Sequence, residues 1–404
     1  MSNHKTPSIR FKGFTDDWEQ RKLGELISEY KETVDSSCTL PVLTSSKTEG
    51  VILQEEHFGR KQQHDITGYN VLPRSYCTYR NRSDGVDFTF NVNECCDMGI
   101  ISKFYPVFCG NDNDTYFLSL VLNNSDEVVH EIAYTCTGTG QKVLSFLDLQ
   151  KMSIRVPRHD EQKKISAYFK QLDNLITLHQ RKYEKLVNVK KSMLDKMFPK
   201  NAEKVPEIRF KGFNDDWEQS KAIDIADYSK GNGYSKGDLI DVGTPIILYG
   251  RLYTKYQFAI NEVDTFAIPR NGAVYSQGNE VIVPASGETA EDIARASAVE
   301  ISGVLLGGDL NILRPFDFMN PLFLALAISN GEPQKELAKK AQGKSVVHIH
   351  NSDIQEVTIA YPSKAEQDRI ISVFRHLDNL ITLHQRELEK LQNLKKSLLN
   401  SMFI

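Results

Sequence analysis

A segment of twelve residues occurs twice in this chain, almost unchanged. Residues 9–20 read IRFKGFTDDWEQ, and residues 208–219 read IRFKGFNDDWEQ. These two hook segments contain Trp18 and Trp217, the only tryptophans in the sequence, and no evident catalytic group. For both tryptophans we favour core packing over direct contact with a partner. The repeat restricts the fold strongly, because both copies must serve the same structural purpose.

A second repeat is longer and lies at the end of each half. Residues 172–198 read LDNLITLHQRKYEKLVNVKKSMLDKMF, and residues 377–403 read LDNLITLHQRELEKLQNLKKSLLNSMF. The similarity extends backwards to an EQ pair at 161–162 and at 366–367. Between the repeated ends, residues 23–136 and 222–340 show no convincing match. Each half therefore combines a shared hook, a private middle and a shared exit segment.

The exit segments have the apolar spacing of long helices with a coiled-coil seam, one residue recurring every seven. Two histidines occupy the same seam position as the apolar residues. We favour a polar seam residue that sets the helix register over a metal-binding or catalytic histidine. The predicted seam residues are Ile165, Leu172, His179, Leu186, Met193, Ile370, Leu377, His384, Leu391 and Leu398.

The length of these helices indicates how they pack. A helix over 160–198 is ~58 Å long at 1.5 Å per residue, too long to bury its stripe on its own small domain. Its twin carries the same stripe, so we expect the two helices to pack together. The linker 199–207 is short, which favours an antiparallel arrangement. Pro199 ends the first helix.

The predicted fold class is therefore α+β, with two globular domains, each followed by a long helix. The helices form an antiparallel coiled coil with pseudo-two-fold symmetry. We predict domain 1 over 1–158, helix 1 over 159–199, domain 2 over 200–360 and helix 2 over 361–404. No run of ~18 apolar residues and no signal peptide is found, so the cytosol is the expected compartment and no membrane partner is expected. All six cysteines lie in the first third and are predicted to be buried free thiols.

Several loops in the private middles mix aromatic, basic and amide side chains. Arg and Asn can read base edges, whereas Lys, Tyr and Ser commonly hold phosphates. On composition alone, a solvated surface or core tyrosines remain the favoured interpretation. The candidate contact residues are Arg74, Tyr79, Arg80, Asn81, Arg82 and Lys142 in the first half, and Tyr234, Ser235, Lys236, Tyr249, Arg251, Tyr253, Lys255 and Lys344 in the second.

Motifs for catalysis are missing from the sequence. AQGKS at 341–345 ends like a phosphate-binding loop, but Ala338 stands where the full pattern needs glycine. His348 and His350 have no further zinc ligands at recognisable spacing. PASGET at 284–289 lacks the G-x-S-x-G elbow. We therefore predict no catalytic, cofactor-binding or metal-binding residue in this chain.

These features together resemble the specificity subunit of type I restriction–modification enzymes, over nearly the whole chain. The motifs that carry the resemblance are the two hook segments, the EQ pair ahead of LDNLITLHQR in both copies, YGRLYTKY at 249–256, and PASGETAEDIA with LGGDLNIL within 284–313.

The resemblance implies that each private middle is a target recognition domain that reads one half of a split sequence in double-stranded DNA. The two helices would set the gap between the half-sites. Two methyltransferase subunits would dock on the repeated regions and methylate adenine with S-adenosylmethionine. Up to two motor–nuclease subunits would add ATP- and Mg-dependent cleavage. All of these cofactors would belong to the partners.

Two other classes of function are kept open at this point. A stand-alone nuclease or methyltransferase lacks every expected motif, and binding of S-adenosylmethionine by the purified chain would support it. A structural scaffold, or a silent specificity subunit, would bind DNA in a salt-dependent but sequence-blind manner.

Overall fold

The computed structural model describes residues 6–61, 65–138, 140–200, 203–341, 343 and 346–403. The packing divides the chain into two units. Unit 1 comprises residues 1–180 and 386–404, and unit 2 comprises residues 181–385. Each unit therefore contains one globular region together with parts of both long helices.

Unit 1 is built on a four-stranded antiparallel sheet with the strand order β2-β10-β6-β8. The elements that begin in unit 1 are β1 Glu19–Lys22, α1 Leu23–Leu26, β2 Ile27–Tyr30, β3 Leu43–Ser46, β4 Gly50–Leu53, α2 Gln54–Phe58, β5 Asn70–Pro73, β6 Cys77–Thr78, β7 Arg82–Ser83, β8 Asn91–Val92, β9 Met98–Ile101, β10 Val107–Gly110, α3 Thr115–Asn124, α4 Asp126–Thr135, β11 Lys142–Val143, α5 Phe146–Lys151, β12 Ser153–Val156 and α6 His159–Lys196.

Unit 2 contains a five-stranded sheet, β14-β23-β19-β21-β16, and a four-stranded sheet, β17-β15-β22-β18. Its further elements are β13 Glu218–Lys221, β14 Ala226–Lys230, β15 Thr244–Ile247, α7 Arg251–Thr254, β16 Ala259–Ile260, β17 Phe266–Ala267, β18 Tyr275–Gln277, β19 Glu280–Pro284, β20 Ser286–Gly287, α8 Ala290–Ile293, β21 Ser297–Val299, β22 Ser302–Leu306, β23 Leu310–Pro315, α9 Pro321–Ile328, α10 Gly331–Lys340, β24 Val347–His348, α11 Asn351–Gln355, β25 Thr358–Tyr361 and α12 Lys364–Met402.

The two units share a frame that the sequence comparison did not find. In unit 1, β10 lies between β2 and β6, and in unit 2, β23 lies between β14 and β19 in the same way. Two packed helices follow in both units, α3 with α4 and α9 with α10. A sheet of this kind accepts different apolar residues, because strand preference depends on packing context more than on residue identity. The middles therefore diverge in sequence while keeping one frame.

The glutamine of each EQ pair connects this frame to a long helix. Gln162 accepts a hydrogen bond from the backbone N–H of Asp114 at 3.0 Å, and Gln367 accepts one from Asn320 at 2.7 Å. Asp114 and Asn320 are the N-cap residues of α3 and α9. Each glutamine also donates to the backbone of the proline that precedes its helix.

Each hook segment forms a buried ion pair with a long helix, and this shared contact accounts for the repetition of the hooks. Arg10 donates two hydrogen bonds to Glu161, both at 2.7 Å, and Arg209 donates two to Glu366, both at 2.8 Å. Both glutamate side chains are 1% exposed. The first turn of each long helix is thereby joined to a hook by a bidentate contact, which combines charge with fixed geometry.

The tryptophans of the hooks are core residues, as predicted. Trp18 is 3% exposed and Trp217 is 1% exposed. Trp18 packs edge-on against Phe403, and Trp217 packs edge-on against Phe198. Phe403 comes directly after α12, and Phe198 comes two residues after the end of α6. Each tryptophan of a hook therefore packs against the end of a long helix.

Both long helices form, close to their predicted bounds. In unit 1 the start of α6 lies beside the end of α12, where Lys395 pairs with Asp173. In unit 2 the start of α12 lies beside the end of α6, where Lys190 pairs with Asp378. Ile165, Leu172, Ile370 and Leu377 are buried, whereas His179, Leu186, Met193, His384, Leu391 and Leu398 are half-buried.

The cysteines differ in part from the prediction. All six are free thiols, but only Cys77 and Cys136 are buried, and Cys95 is exposed. Among the described residues, no helix combines the length and apolar character needed to cross a membrane.

Candidate nucleic-acid interface

The candidate surface of unit 1 forms where β7 pairs with β11. This short ladder places Lys142 opposite Ser83 and Val143 opposite Arg82. The guanidinium of Arg82 lies 4.8 Å from the ring centroid of Phe104, and the ammonium of Lys103 lies 5.8 Å from the same centroid. Phe104 is 40% exposed. We call Arg82, Lys103, Phe104 and Lys142 the basic cluster of unit 1.

Two of the predicted residues flank this cluster. The backbone N–H of Asn81 donates to the carbonyl oxygen of Phe104 at 2.9 Å, which anchors the loop before β7. Arg80 is exposed. Burial raises the pKa of Tyr105, and the nearby positive charge of Arg80 partly opposes that rise. The loop 80–82 therefore projects basic groups beside the exposed ring of Phe104.

Tyr79, a candidate contact residue in the sequence, lies in the core, which agrees with the alternative of core tyrosines. Its side chain is fully buried, packs against Phe90 and Phe108, and donates a hydrogen bond to the carbonyl oxygen of Leu144 at 3.1 Å. Burial strongly raises the pKa of its phenol. The cause is its position next to the end of β6, where alternation turns the side chain inward. Tyr79 is therefore left out of the interface.

Arg74 lies in a different loop from the basic cluster. Its guanidinium pairs with Asp97 at 2.8 Å and donates to the carbonyl oxygen of Glu94 at 2.8 Å. Within the described part of unit 1, these contacts join Arg74 to the segment 94–97 and not to the basic cluster. Arg74 therefore orders a turn.

Unit 2 brings six predicted residues together around one cleft of about 790 Å³. Loops from the private middle form its walls, between β14 and β17 and before β23. The residues that line this unit 2 cleft are Gly233, Tyr234, Ser235, Lys236, Leu239, Leu248, Tyr249, Gly250, Arg251, Thr254, Lys255, Asp264, Thr265, Gly308 and Asp309.

Tyr253, another predicted residue of this half, does not line the cleft. Tyr253 is half-buried and donates a hydrogen bond to the carbonyl oxygen of Ser286, and burial raises the pKa of its phenol. Tyr253 thus supports the loop that presents Tyr249, whose ring it contacts edge-on. Lys344 lies outside the described residues.

A network of charges organises the wall of the cleft. Arg251 is 8% exposed, and its guanidinium binds Asp264, the side chain of Gln257 and the backbone of Glu262. Lys255 reaches the second oxygen of Asp264 at 2.6 Å. Hydrogen bonds from Lys255 and Arg251 hold the pKa of Asp264 far below its usual value. Arg251, a candidate contact residue in the sequence, is thus buried and supports the wall of the cleft.

The rim of the cleft has a backbone that few residues adopt. Tyr234 and Asp309 have φ values of 58° and 57°, the left-handed region that non-glycine residues rarely occupy. The two loops touch where the N–H of Gly308 donates to the carbonyl of Gly233. At Gly231, a Cβ atom would lie 1.8 Å from the carbonyl oxygen of Gly307. Such conformations persist where the surroundings hold them, and they cluster at functional sites.

Sequence reasoning missed Lys103, Phe104, Asp264 and Arg270. The guanidinium of Arg270 lies 5.1 Å from the ring centroid of Tyr234, and its backbone N–H donates to the Tyr234 hydroxyl. The basic–aromatic pair in ISKFYP could have indicated the first two residues. Asp264 and Arg270 become recognisable only through their partners, because nothing in their local sequence marks them.

The two units thus share one strand frame and carry different groups of polar and aromatic side chains on their private segments. Among the described residues, no group of three or more His, Cys, Asp or Glu side chains could hold a metal ion. A family profile described as "Type I restriction modification DNA specificity domain" matches residues 15–188 and again residues 214–393. The chain belongs to this family.

Individual relatives are distant in sequence. The chain is 22% identical over 279 residues to the type I restriction enzyme MjaVIII specificity subunit of Methanocaldococcus jannaschii, a match covering 65% of this chain and 64% of that relative's length. The crystal structure of a type I restriction–modification S subunit from M. genitalium matches with a TM-score of 0.62 and 12% identity over 99% of both chains. The HsdS subunit from Thermoanaerobacter tengcongensis matches with a TM-score of 0.45 and 16% identity over 96% of both chains.

Proposed function

We propose that this chain is the non-catalytic DNA-recognition subunit of a type I restriction–modification complex and that it reads a bipartite target. The observation that carries the proposal is one frame with two unlike surfaces. The basic cluster of unit 1 lies at the two-stranded β7–β11 ladder, and the unit 2 cleft is lined by loops next to β15, β17 and β23, so both surfaces arise from private segments. Two different surfaces on one frame suit two different half-sites of double-stranded DNA.

The long helices act, in this proposal, as an antiparallel coiled-coil spacer with pseudo-two-fold symmetry. The equivalent ion pairs Lys395–Asp173 and Lys190–Asp378 support this arrangement, since each joins the end of one helix to the start of the other. A helix of 38 residues is ~57 Å long, enough to hold two domains against separate DNA segments.

Catalysis belongs to partner subunits in this proposal. Two equivalent frames suit two copies of one partner, as expected for a pseudo-symmetric assembly. Two methyltransferase subunits would supply S-adenosylmethionine chemistry, and up to two motor–nuclease subunits would supply ATP- and Mg-dependent cleavage. The complex would work in the cytoplasm.

Mapping of methylated adenines tests the function directly. The chain is expressed with its methyltransferase subunit in a host without adenine methylation, and the modified positions are found by long-read sequencing. We expect one split motif with a fixed gap. If a complex forms but no motif is modified, sequence reading is rejected and the scaffold function is favoured.

Lengthening the spacer should widen the gap in the motif. One heptad is inserted into both helices, after Thr177 and after Thr382, so that the apolar seam keeps its phase. Seven residues add ~10.5 Å, which corresponds to ~3 base pairs at ~3.4 Å each. The control inserts seven polar residues into the linker 199–207, which should leave the gap unchanged. A gap that stays constant with longer helices would reject the spacer role.

Removing a charge from the basic cluster should weaken DNA binding. We expect Arg82→Ala to lower the affinity of the complex about tenfold, because a lost phosphate or base contact costs ~1–3 kcal/mol. If Arg82 binds phosphate, the slope of log affinity against log salt falls by about 1. Binding is measured by fluorescence anisotropy at several salt concentrations. Lys151→Ala, which removes a cation paired with Asp148 on α5, is the control and should bind normally.

A further inference from the structure

The unit 2 cleft contains an exposed carboxylate at a place where DNA would have to approach. The Asp264 side chain is 61% exposed, while Arg251, which holds it, is buried. A surface that only attracted phosphates would gain nothing from a carboxylate, because like charges repel. We infer that Asp264 is a specificity-determining residue that accepts a hydrogen bond from the exocyclic amino group of cytosine or adenine. This inference rests on the proposed DNA-reading function.

The geometry leaves the carboxylate of Asp264 able to accept another hydrogen bond. Arg251 occupies Oδ1 at 2.5 Å, and Lys255 occupies Oδ2 at 2.6 Å. The backbone N–H of Asp264 also bonds this carboxylate. A carboxylate offers about four acceptor positions, so at least one remains. Because the exposed fraction is large, the remaining positions face the open cleft. The two cations therefore aim the carboxylate without saturating it.

The chemistry of the carboxylate restricts what it can read. The lowered pKa of Asp264 keeps its carboxylate ionised near neutral pH, so the carboxylate accepts hydrogen bonds and donates none. In the major groove, the donors on base edges are the N4 amino group of cytosine and the N6 amino group of adenine. Guanine and thymine present acceptors, which a carboxylate repels. Asp264 would thus favour cytosine or adenine at one position of one strand.

The residues around Asp264 suit a base-contacting side chain that is held in a fixed position. Lys236 and Lys255 supply cations, and Tyr249, 37% exposed, supplies an aromatic ring. The left-handed residues Tyr234 and Asp309 also line the cleft. Asp264 itself lies just before β17, in a private segment of unit 2. A change at Asp264 should therefore alter one half-site only.

The test compares motifs written by the complete complex of this chain with its methyltransferase subunit. Wild type, Asp264→Asn and Asp264→Ala are mapped by long-read sequencing in the same host. We expect both variants to lose selectivity by about tenfold at a single base pair of one half-site, because the carboxylate that accepts from one base edge and repels the others is removed. The other half-site and the gap should stay the same.

A matched control separates base reading from support of the loop. Asp292→Asn removes a carboxylate that pairs with Arg295 outside the cleft lining, and its motif should equal that of wild type. An unchanged motif for both Asp264 variants would overturn the inference. A uniform loss of methylation at all bases, with a lowered melting temperature even in the isosteric Asp264→Asn, would also overturn it, because Asp264 would then be structural. A wild-type complex that writes no split motif would instead reject the proposed function, and the inference with it.

Discussion

Arg10→Ala is expected to lower the free energy of unfolding of unit 1 by ~3–5 kcal/mol, since removing one partner of a buried ion pair leaves an uncompensated charge. The Glu161 side chain is 1% exposed, and each of its carboxylate oxygens accepts a hydrogen bond from Arg10. Without Arg10, the carboxylate must stay buried unpaired or become protonated, and either outcome costs stability. Arg209→Ala should have a similar effect in unit 2, because Glu366 is buried to the same extent.

The two tryptophans allow each unit to be followed separately. A Trp217→Phe background leaves Trp18 as the only tryptophan, so urea unfolding monitored by its fluorescence reports on unit 1. Arg21→Ala is the control, because the Arg21–Glu25 pair is exposed and such pairs contribute ~0–1 kcal/mol. The double variant Arg10→Met with Glu161→Met should recover most of the lost stability. Equal losses for Arg10→Ala and Arg21→Ala would contradict the assignment.

Phe403→Ala is the second substitution with a large expected effect, a loss of ~3–5 kcal/mol in unit 1. Phe403 is 8% exposed and lies among Trp18, Phe117 and Phe169, with ring centroids 6.1–6.4 Å apart. Truncation to alanine removes this packing and leaves a cavity that the surrounding aromatic rings cannot fill. The loss should appear in unit 1, although Phe403 is remote from most of that unit in sequence.

Unfolding followed through Trp18 measures this effect, again in the Trp217→Phe background. Leu394→Ala, at a position of α12 that is 43% exposed, is the control and should change stability by less than ~1 kcal/mol. Phe198→Ala is the twin in unit 2, since Phe198 packs against Trp217 and Phe323. In a Trp18→Phe background it should destabilise unit 2. If Phe403→Ala leaves the Trp18 transition unchanged, the helix end does not contribute to that core.

The repeated parts of this protein were predictable from sequence because their signals are local and occur twice. The heptad spacing predicted the two long helices, and the structure ends them within a few residues of the prediction. The burial of Trp18 and Trp217 followed from the same comparison. The structure of the private middles was harder to predict from sequence, because strands of two to six residues leave little periodicity to detect.

For the candidate interface, too, the sequence indicated some features and left others undetermined. Sequence composition identified Lys236, Tyr249 and Lys255, which the structure brings together around one cleft. Composition could not separate an exposed residue from a buried one of the same type. Tyr79 therefore turned out to be a core residue and Arg251 a buried support. Burial depends on strand alternation and on partners that are distant in the chain, such as Leu144 for Tyr79.

The sequence by itself determined the duplication, the helical exit segments, the core role of the tryptophans and the family resemblance, because each depends on residue identity and spacing. Only the tertiary structure decided that the two middles share one frame, that Arg10 and Arg209 pair with buried glutamates, and that Asp264 stands exposed between two cations. The physical reason is that ion pairs, burial and sheet order are set by contacts between residues far apart in the chain. Such contacts depend on the shape of the folded core, and many different sequences produce the same shape.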